Sequence, residues 1–261
     1  MVIDRGRQSY EVFELFRHLK SEMGERCIII RGNHEDMMMN AALWPGDSPL
    51  WKNNGGNKSI RSFYKHGTHI FHHAEWFKSN TVLTYEDENF QCCHAGLDSE
   101  DIAENLPEVL MWDRTRIDRN DYYGKLTIIG HTPIEEATWY VGDEETIEIL
   151  PEHKWMPLPE TGLICIDTGC VFGYKLTAMV VGDGEYWLDS VFWSKDKYSI
   201  CDECGSEFLK SSSKMMALCP ECAHILYGYP NCAHVFKNGR CIYCHWDGSQ
   251  SEYIKWLKSN D

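Results

Sequence analysis

The stretch that decides the fold is Cys27-Ile28-Ile29-Ile30-Arg31-Gly32-Asn33-His34-Glu35-Asp36. Its apolar start, Cys27 to Ile30, predicts a short buried strand, and the polar pair Asn33 and His34 follows this strand. Folds of the α/β class build their active sites at the carboxyl ends of such strands. The stretch therefore predicts an α/β fold with Asn33 and His34 at a functional site.

Further motifs place polar residues in comparable positions. Upstream lies Val2-Ile3-Asp4-Arg5-Gly6, and downstream lie, in order, Cys93-His94-Ala95-Gly96, Gly130-His131-Thr132-Pro133 and Asp167-Thr168-Gly169-Cys170. His94 and His131 each close an apolar or β-prone segment. An isolated histidine in such a place is more often a packed core residue. The ordered series instead predicts that several strand ends converge on one polar site.

In these motifs and their order the sequence resembles the calcineurin-like metallophosphoesterases, and within them the phosphoprotein phosphatases, particularly the small bacterial and phage enzymes similar to the phage lambda phosphatase. The resemblance runs from Met1 to about Phe192 and includes Asp36-Met37-Met38, Asn54-Gly55-Gly56 and Met111-Trp112-Asp113-Arg114. It implies an α-β-β-α sandwich over residues 1–193. It also implies metal-dependent hydrolysis of phosphomonoesters, most simply as a Ser/Thr protein phosphatase.

The resemblance implies that Asn33, His94 and His131 are metal ligands. An amide oxygen with two imidazole nitrogens suits Mn, Fe or Zn in a dinuclear site, where the metal activates the attacking water. The family's first motif, Gly-Asp-x-His-Gly, would lie before Met1, and the first Asp of its second motif falls on Met1. The resemblance therefore implies that three metal ligands are missing from residues 1–261, through clipping of a longer gene or a real truncation. We expect poor hydrolysis of aryl phosphates by residues 1–261, and recovery when the upstream segment is restored.

The resemblance also assigns the proton transfer and the phosphate contacts. His34 would protonate the leaving alkoxide as general acid, and Asp4 would hold its imidazole in the correct tautomer. Arg5 and Arg114 would bind the phosphate oxygens through their planar guanidinium groups. An isolated arginine is usually a solvated surface charge, and two neighbours are alternatives to Arg114 in this role, namely Arg116 and Arg119.

The cysteines predict a second domain, over residues 194–261. Cys201-x-x-Cys204 and Cys219-x-x-Cys222 have the spacing of a structural zinc site with four thiolates. A second site is predicted from Cys232, His234, Cys241 and Cys244, with His245 as the alternative histidine. Such zinc ribbons depend on metal for folding, and we expect this one to dock a protein partner. The remaining cysteines are predicted to be small buried hydrophobes: Cys27, Cys92, Cys93, Cys165 and Cys170.

The composition of the chain limits the classes of partner that it is expected to bind. The 261 residues carry a formal net charge of −15, which disfavours an electrostatic grip on nucleic acid. Neither a membrane-spanning run nor a signal peptide is recognisable, which predicts a cytoplasmic location. A phosphorylated protein is the expected substrate. The alternatives are a dinucleoside polyphosphate, a phosphate at a nucleic-acid end, or no substrate at all in a truncated zinc-ribbon adaptor.

Local patterns predict the main elements around these motifs. Apolar spacing predicts a helix over 8–23, and residues 35–43 and 59–64 also read as helical. Proline, glycine and asparagine predict a loop over 44–56 at the rim of the cleft. Alternating apolar runs between 163 and 192 predict a β-meander.

Overall fold

The computed structural model describes residues 2–172, 174–192, 198–215 and 217–260. The chain divides into two compact units, Met1–Phe192 and Trp193–Asp261. Each unit is described by itself below. The predicted boundary segment, residues 194–199, lies mostly outside the described residues.

Helices of the first unit precede and interrupt its strands. Their bounds are α1 Ser9–Met23, α2 Asn33–Leu43, α3 Ser48–Trp51, α4 Asn57–Lys65, α5 Ala74–Asn80, α6 Pro107–Trp112 and α7 Thr115–Arg119. Helix α1 buries Phe13 against Phe63 of α4 and Phe77 of α5, with ring centroids 5.4 and 5.2 Å apart. Gly24 ends α1 with φ 58°, a conformation that glycine adopts without steric cost. The helix predicted over 8–23 is thereby confirmed.

A six-stranded sheet forms the centre of the first unit. Its strands are β1 Thr84–Glu86, β2 Gln91–Cys93, β3 Thr127–Ile129, β4 Thr138–Tyr140, β5 Ile147–Ile149 and β7 Leu163–Cys165, in the order β1-β2-β3-β7-β4-β5. Strands β2, β3 and β7 run parallel, whereas β1, β4 and β5 pair antiparallel with their neighbours. Parallel neighbours end at the same edge of a sheet, so the residues that follow β2, β3 and β7 lie side by side.

A second sheet of the first unit contains three antiparallel strands. They are β6 Trp155–Pro157, β8 Lys175–Gly182 and β9 Glu185–Phe192, in the order β6-β9-β8. Residues of β8 alternate between buried or half-buried and exposed positions, as expected for a strand with one covered face. Tyr186 and Leu188 of β9 pack with Ile128 and Ile164 of the central sheet in one apolar cluster. The two sheets thus share a core, and the mixed α/β class predicted from the sequence is confirmed.

Three local predictions were wrong. Residues 27–30 form no strand, because only Ile30 bridges, to Val82. Residues 45–56 form successive helical turns and not the loop predicted over 44–56, and Trp51 within these turns is fully buried. Strand β7 leaves the predicted meander and joins the central sheet beside β3, a long-range pairing that local patterns do not specify.

The second unit is small and rich in cysteine. It contains β10 Tyr198–Ile200, β11 Glu207–Leu209, α8 Pro220–Tyr227, β12 Phe236–Lys237, β13 Arg240–Cys241 and α9 Glu252–Asn260. Strands β10 and β11 form one antiparallel hairpin, and β12 and β13 form another. Its buried cluster contains more cysteine side chains than large apolar ones, with Phe208, Trp246 and Ile254 as main apolar members. Among the described residues of the chain, no helix is long and apolar enough to cross a membrane.

Candidate metal and phosphate site

The sheet topology brings the predicted histidine ligands together. His94 follows β2 directly, and His131 follows β3 after Gly130. Asn33 is the first residue of α2 and follows by three positions Ile30, which bridges to Val82. Three separate parts of the sequence therefore converge at one edge of the sheet. We call Asn33, His94 and His131 the Asn-His-His triad.

Donor atoms of the triad lie at the separations that a shared cation imposes. His94 Nε2 is 3.1 Å from Asn33 Oδ1 and 3.3 Å from His131 Nδ1. A divalent metal bound at about 2.0–2.2 Å holds neighbouring ligand atoms about 3.0–3.4 Å apart, for angles of roughly 90–109°. The facing ring nitrogens of His94 and His131 need a cation or a single shared proton between them. The triad therefore fits a divalent metal.

Burial keeps both imidazoles of the triad neutral, which is the form that binds metal. Burial holds the pKa of His94 well below its usual range, with smaller contributions from the charges of His131 and His34. For His131, burial and then the positive charge of Arg114 lower the pKa to about 4.

Gly32 lets the backbone pass close to His94. A Cβ atom at this position would meet His94 Cε1 at 2.8 Å and Glu35 Oε2 at 2.9 Å, which is closer than real Cβ contacts. The fully buried Glu35 carboxylate accepts hydrogen bonds from the backbone N–H groups of Gly32 at 3.0 Å and Val2 at 2.6 Å. Glu35 thereby ties the segment before Asp4 to the start of α2, a role that the sequence did not indicate.

Asp4 and His34 form a buried pair beside the triad. His34 Nδ1 donates to Asp4 Oδ2 at 2.7 Å, so the transferable proton belongs on Nε2. Trp51 Nε1 also donates to Asp4 Oδ2, at 2.8 Å, and Ser59 Oγ donates to Asp4 Oδ1 at 2.7 Å. Sequence reasoning missed Trp51 and Ser59, because neither belongs to a motif with His34. They fix the carboxylate that fixes the imidazole.

Unusual backbone conformations concentrate at the site. Asp4, Arg5 and His131 have φ values of 67°, 52° and 64°, in the left-handed region that costs non-glycine residues energy. Gly55 has φ 115°, and its Cβ would lie 3.1 Å from the Arg5 backbone nitrogen; a Cβ on Gly56 would meet the Trp51 ring at 2.5 Å. The Gly-Gly pair therefore permits the close packing that holds Asp4 and Arg5 in place.

Of the two predicted phosphate-binding arginines, Arg114 contacts the triad directly. Arg114 is exposed, and its Nη2 lies 3.4 Å from His131 Nε2. Arg5 is half-buried with its guanidinium 5.7 Å from the ring centroid of Phe172. The alternative Arg116 is engaged elsewhere, because it donates to Leu97 O and forms an ion pair with Asp121. Arg119 is exposed at the end of α7 and has no contact with the triad in the described part of the chain.

Two cysteine groups lie in the second unit. The first group contains Cys201, Cys204, Cys219 and Cys222, and the second contains Cys232, His234, Cys241 and Cys244; within each group all candidate ligand atoms lie within 4.8 Å of one another. The Cys204–Cys219 and Cys232–Cys241 sulfur pairs are each 3.8 Å apart. Tetrahedral zinc with Zn–S bonds of about 2.3 Å separates its sulfurs by about 3.8 Å. Both groups therefore fit zinc.

His234, and not His245, faces the second cysteine group. His234 Nδ1 is 3.3 Å from Cys244 Sγ, whereas His245 Nε2 pairs with Glu207 at 3.0 Å. The buried cysteines of the first unit belong to neither group. Burial raises the pKa of Cys92, Cys93 and Cys165 to about 12, so these thiols stay protonated.

Residues 2–158 match the calcineurin-like phosphoesterase family. The chain belongs to this family. A protein phosphatase 2A catalytic subunit of Dictyostelium discoideum is 24% identical over 215 residues, an alignment that covers 78% of this chain and 60% of that protein. The chain thus spans about 60% of the length of this curated relative.

Two solved structures are similar to the chain. A metallophosphoesterase from Sphaerobacter thermophilus has a TM-score of 0.48 at 12% identity, with 73% of this chain and 74% of that chain covered. A protein assigned as a diadenosine tetraphosphatase has a TM-score of 0.43 at 14% identity, with coverage of 74% and 78%. The more specific resemblance to phage-type phosphatases stays a prediction.

Proposed function

We propose that the first unit is a metal-dependent phosphomonoester hydrolase that acts on phosphoserine and phosphothreonine in proteins. The observation that carries the proposal is the convergence of the Asn-His-His triad beside the buried Asp4–His34 pair. The curated relative, a protein phosphatase 2A catalytic subunit, supports the choice of a protein substrate.

The triad would hold one divalent cation through Asn33 Oδ1, His94 Nε2 and His131 Nδ1. Mixed oxygen and nitrogen ligands suit Mn, Fe or Zn. When bound, such a cation supplies a nucleophilic water at neutral pH and polarises the phosphoryl oxygens. The low pKa of both histidines keeps the nitrogens available as ligands at neutral pH. The closely packed Gly32 backbone fixes the His94 ring in place.

His34 has the geometry of a general acid. Its Nδ1 is committed to Asp4, which leaves the proton on Nε2 for the leaving alkoxide. The three donors around the Asp4 carboxylate, from His34, Trp51 and Ser59, orient it before substrate binds. Serine and threonine alkoxides are poor leaving groups, so this protonation matters more for them than for aryl phosphates.

Arg114 and Arg5 would bind the phosphate oxygens. The position of Arg114 next to His131 places its guanidinium at the edge of the triad. Asp113 accepts hydrogen bonds from the Thr115 backbone N–H at 3.0 Å and Thr115 Oγ1 at 2.6 Å, which orders the turn that carries Arg114. Lys58 Nζ donates to the Arg5 carbonyl at 2.8 Å and supports its left-handed backbone. Guanidinium groups suit this role because they contact two phosphate oxygens at once.

For the second unit we propose two structural zinc ions, one in each cysteine group. Backbone N–H groups support the thiolates, since Cys222 N donates to Cys219 Sγ and Tyr243 N to Cys241 Sγ, both at 3.4 Å. The unit has few large buried apolar side chains, so metal binding supplies much of its folding energy. We propose that this unit, residues 194–261, docks a protein partner.

A substrate panel tests the proposal for the first unit. In a chain with the upstream segment restored, phosphate release from phosphoserine and phosphothreonine peptides should require added Mn²⁺. It should fall in the His131→Ala variant but not in the His153→Ala variant. His153 is the matched control because it is exposed and pairs with Glu152 and Asp189, which belong to none of the site's motifs. Cleavage of diadenosine tetraphosphate or of DNA phosphate ends, without release from phosphopeptides, would contradict the proposed substrate class. Metal-independent release would contradict the proposed chemistry.

A further inference from the structure

A buried carboxylate lies between the two cysteine groups of the second unit. Glu221 is on α8, between the Cys219 and Cys222 ligands of the first cysteine group, and is 7% exposed. Its side chain nevertheless points toward the second group, since Glu221 Oε2 is 3.3 Å from His234 Nε2. One residue of the first group's helix thus contacts a ligand of the second group.

Glu221 has the geometry that orients a histidine ligand. His234 presents Nδ1 to Cys244 Sγ at 3.3 Å, so the ring's other nitrogen, Nε2, carries the proton that it donates to Glu221. A carboxylate bound to the outer nitrogen of a ligating histidine fixes its tautomer and raises its basicity as a ligand. The ring is also held against Trp246, with the centroids 4.6 Å apart.

A second path links Glu221 to the same group. Asn231 Nδ2 donates to Glu221 Oε2 at 2.6 Å, and Asn231 Oδ1 accepts from the Cys232 backbone N–H at 2.8 Å. Lys258 Nζ of α9 donates to the other carboxylate oxygen at 2.6 Å. Both oxygens of the carboxylate therefore accept hydrogen bonds. One partner, His234, is a candidate ligand of the second group, and another, Asn231, is the neighbour of the candidate ligand Cys232.

We propose that Glu221 couples the two zinc sites, so that metal bound at the first cysteine group strengthens metal binding at the second. The coupling rests on the proposed zinc binding. Zinc at Cys219 and Cys222 fixes the first turn of α8, a helix of eight residues that is too short to be stable alone. The fixed turn holds Glu221 against His234. Coupling of this kind is reciprocal, so metal at the second site also strengthens the first.

Metal titration of the full chain tests the positioning role of Glu221. Co²⁺ serves as the probe, because four thiolates and three thiolates with one imidazole give different absorption spectra, and Zn²⁺ competition then gives the affinity of each site. Loss of such a supporting group costs about 10- to 100-fold in metal affinity. The Glu221→Ala variant should lose that much at the second site and change its spectrum. The metal affinity of the second site in the Glu221→Gln variant should lie between those of the parent chain and Glu221→Ala, because an amide oxygen still accepts from His234.

The Glu207→Gln variant is the matched control. Glu207 also pairs with a histidine of this unit, His245 at 3.0 Å, but both side chains are partly exposed and neither belongs to a cysteine group. Both metal affinities should match those of the parent chain. A loss at the second site equal to that of Glu221→Ala would overturn the proposal, because it would show a general sensitivity to any lost glutamate.

The coupling itself is tested by removing the first site. The double substitution Cys201→Ser and Cys204→Ser should weaken the second site about 10-fold or more in a chain that contains Glu221, and should have little further effect in the Glu221→Ala background. Equal affinity of the second site with and without the first would overturn the coupling while leaving two zinc sites. A parent chain that binds neither Co²⁺ nor Zn²⁺ would overturn the zinc proposal, and the coupling with it.

Discussion

The Asp4→Asn substitution probes the proposed general acid through the group that orients it. Asn matches Asp in shape, so its amide oxygen can accept from His34 and Trp51 while its Nδ2 donates to Ser59 Oγ. Ser59 can then direct its own hydrogen to Ser9 Oγ, 3.1 Å away. The hydrogen-bond geometry survives, and only the negative charge beside His34 is lost.

The size of the effect follows from that lost charge. A hydrogen bond to a charged group contributes about 1.5–3 kcal/mol and one between neutral groups about 0.5–1.5 kcal/mol. The His34 and Asp4 side chains are 6% and 0% exposed, so solvent screens their interaction little. Protonated His34 should therefore lose about 1–1.5 kcal/mol of stabilisation, which corresponds to a fall in kcat of about 5- to 15-fold. The His34→Asn variant should lose about 10²- to 10⁴-fold.

The assay compares two leaving groups under one metal concentration. Both substitutions are made in a chain with the upstream segment restored. Against a phosphoserine peptide, Asp4→Asn and His34→Asn should show the falls given above relative to that parent, with KM almost unchanged. Against nitrophenyl phosphate both deficits should shrink, because nitrophenolate leaves without a proton. Thermal unfolding should place Asp4→Asn within about 1 kcal/mol of the parent.

Ser62→Ala is the matched control. Ser62 is a second buried serine of α4 that accepts from a backbone N–H, that of Tyr10 at 3.0 Å, and among the described residues it has no hydrogen bond to Asp4 or His34. The unfolding free energy should drop by about 0.5–1.5 kcal/mol, and activity should change equally for both substrates. Asp4→Asn could instead lower kcat equally for both substrates, or cause loss of bound Mn²⁺. Either result would show that Asp4 and His34 support the structure or the metal and do not transfer a proton.

The remaining predictions concern single contacts. Gly32→Ala should weaken Mn²⁺ binding and destabilise the fold by about 1–3 kcal/mol, because the new Cβ collides with His94; unchanged metal affinity by calorimetry would refute this packing. Arg114→Ala should raise KM and lower kcat for phosphopeptides, since phosphate is bound in both the ground and transition states; a change in kcat alone would refute ground-state binding. Cys222→Ser should halve the zinc content measured by elemental analysis, or lower it further through the coupled site, and an unchanged content would refute its role as a ligand.

Much of the site follows from local sequence because strand ends are local features. His94 and His131 each come after a short apolar run. Because β2 and β3 pair in parallel, the residues that follow these two strands lie close together. Asn33 follows an apolar run as well, although the run forms one bridge and no strand. Cys-x-x-Cys spacing is likewise local, because the two thiolates of a pair are brought together by one turn.

The supporting residues could not be predicted because their roles depend on long-range contacts. Trp51 and Ser59 reach Asp4 across 47 and 55 positions in the sequence, and Glu35 reaches Val2 across 33. Contacts over such separations produce no periodic pattern or characteristic residue spacing in the sequence. The composition of residues 44–56 favours turns, and it does not indicate that Trp51 is buried under Gly56 in successive helical turns. The choice of His234 over His245 also required a spatial contact, to Cys244.

Mn²⁺ binding by the Asn-His-His triad is the most direct test of the account. The parent chain and single alanine variants of Asn33, His94 and His131 would be titrated with Mn²⁺ and followed by electron paramagnetic resonance, with His153→Ala as the control for the exposed acidic surface. We predict that each triad substitution weakens the specific binding by at least about 10-fold, while His153→Ala leaves it unchanged. Equal Mn²⁺ affinity in all five proteins would contradict the assignment of this site.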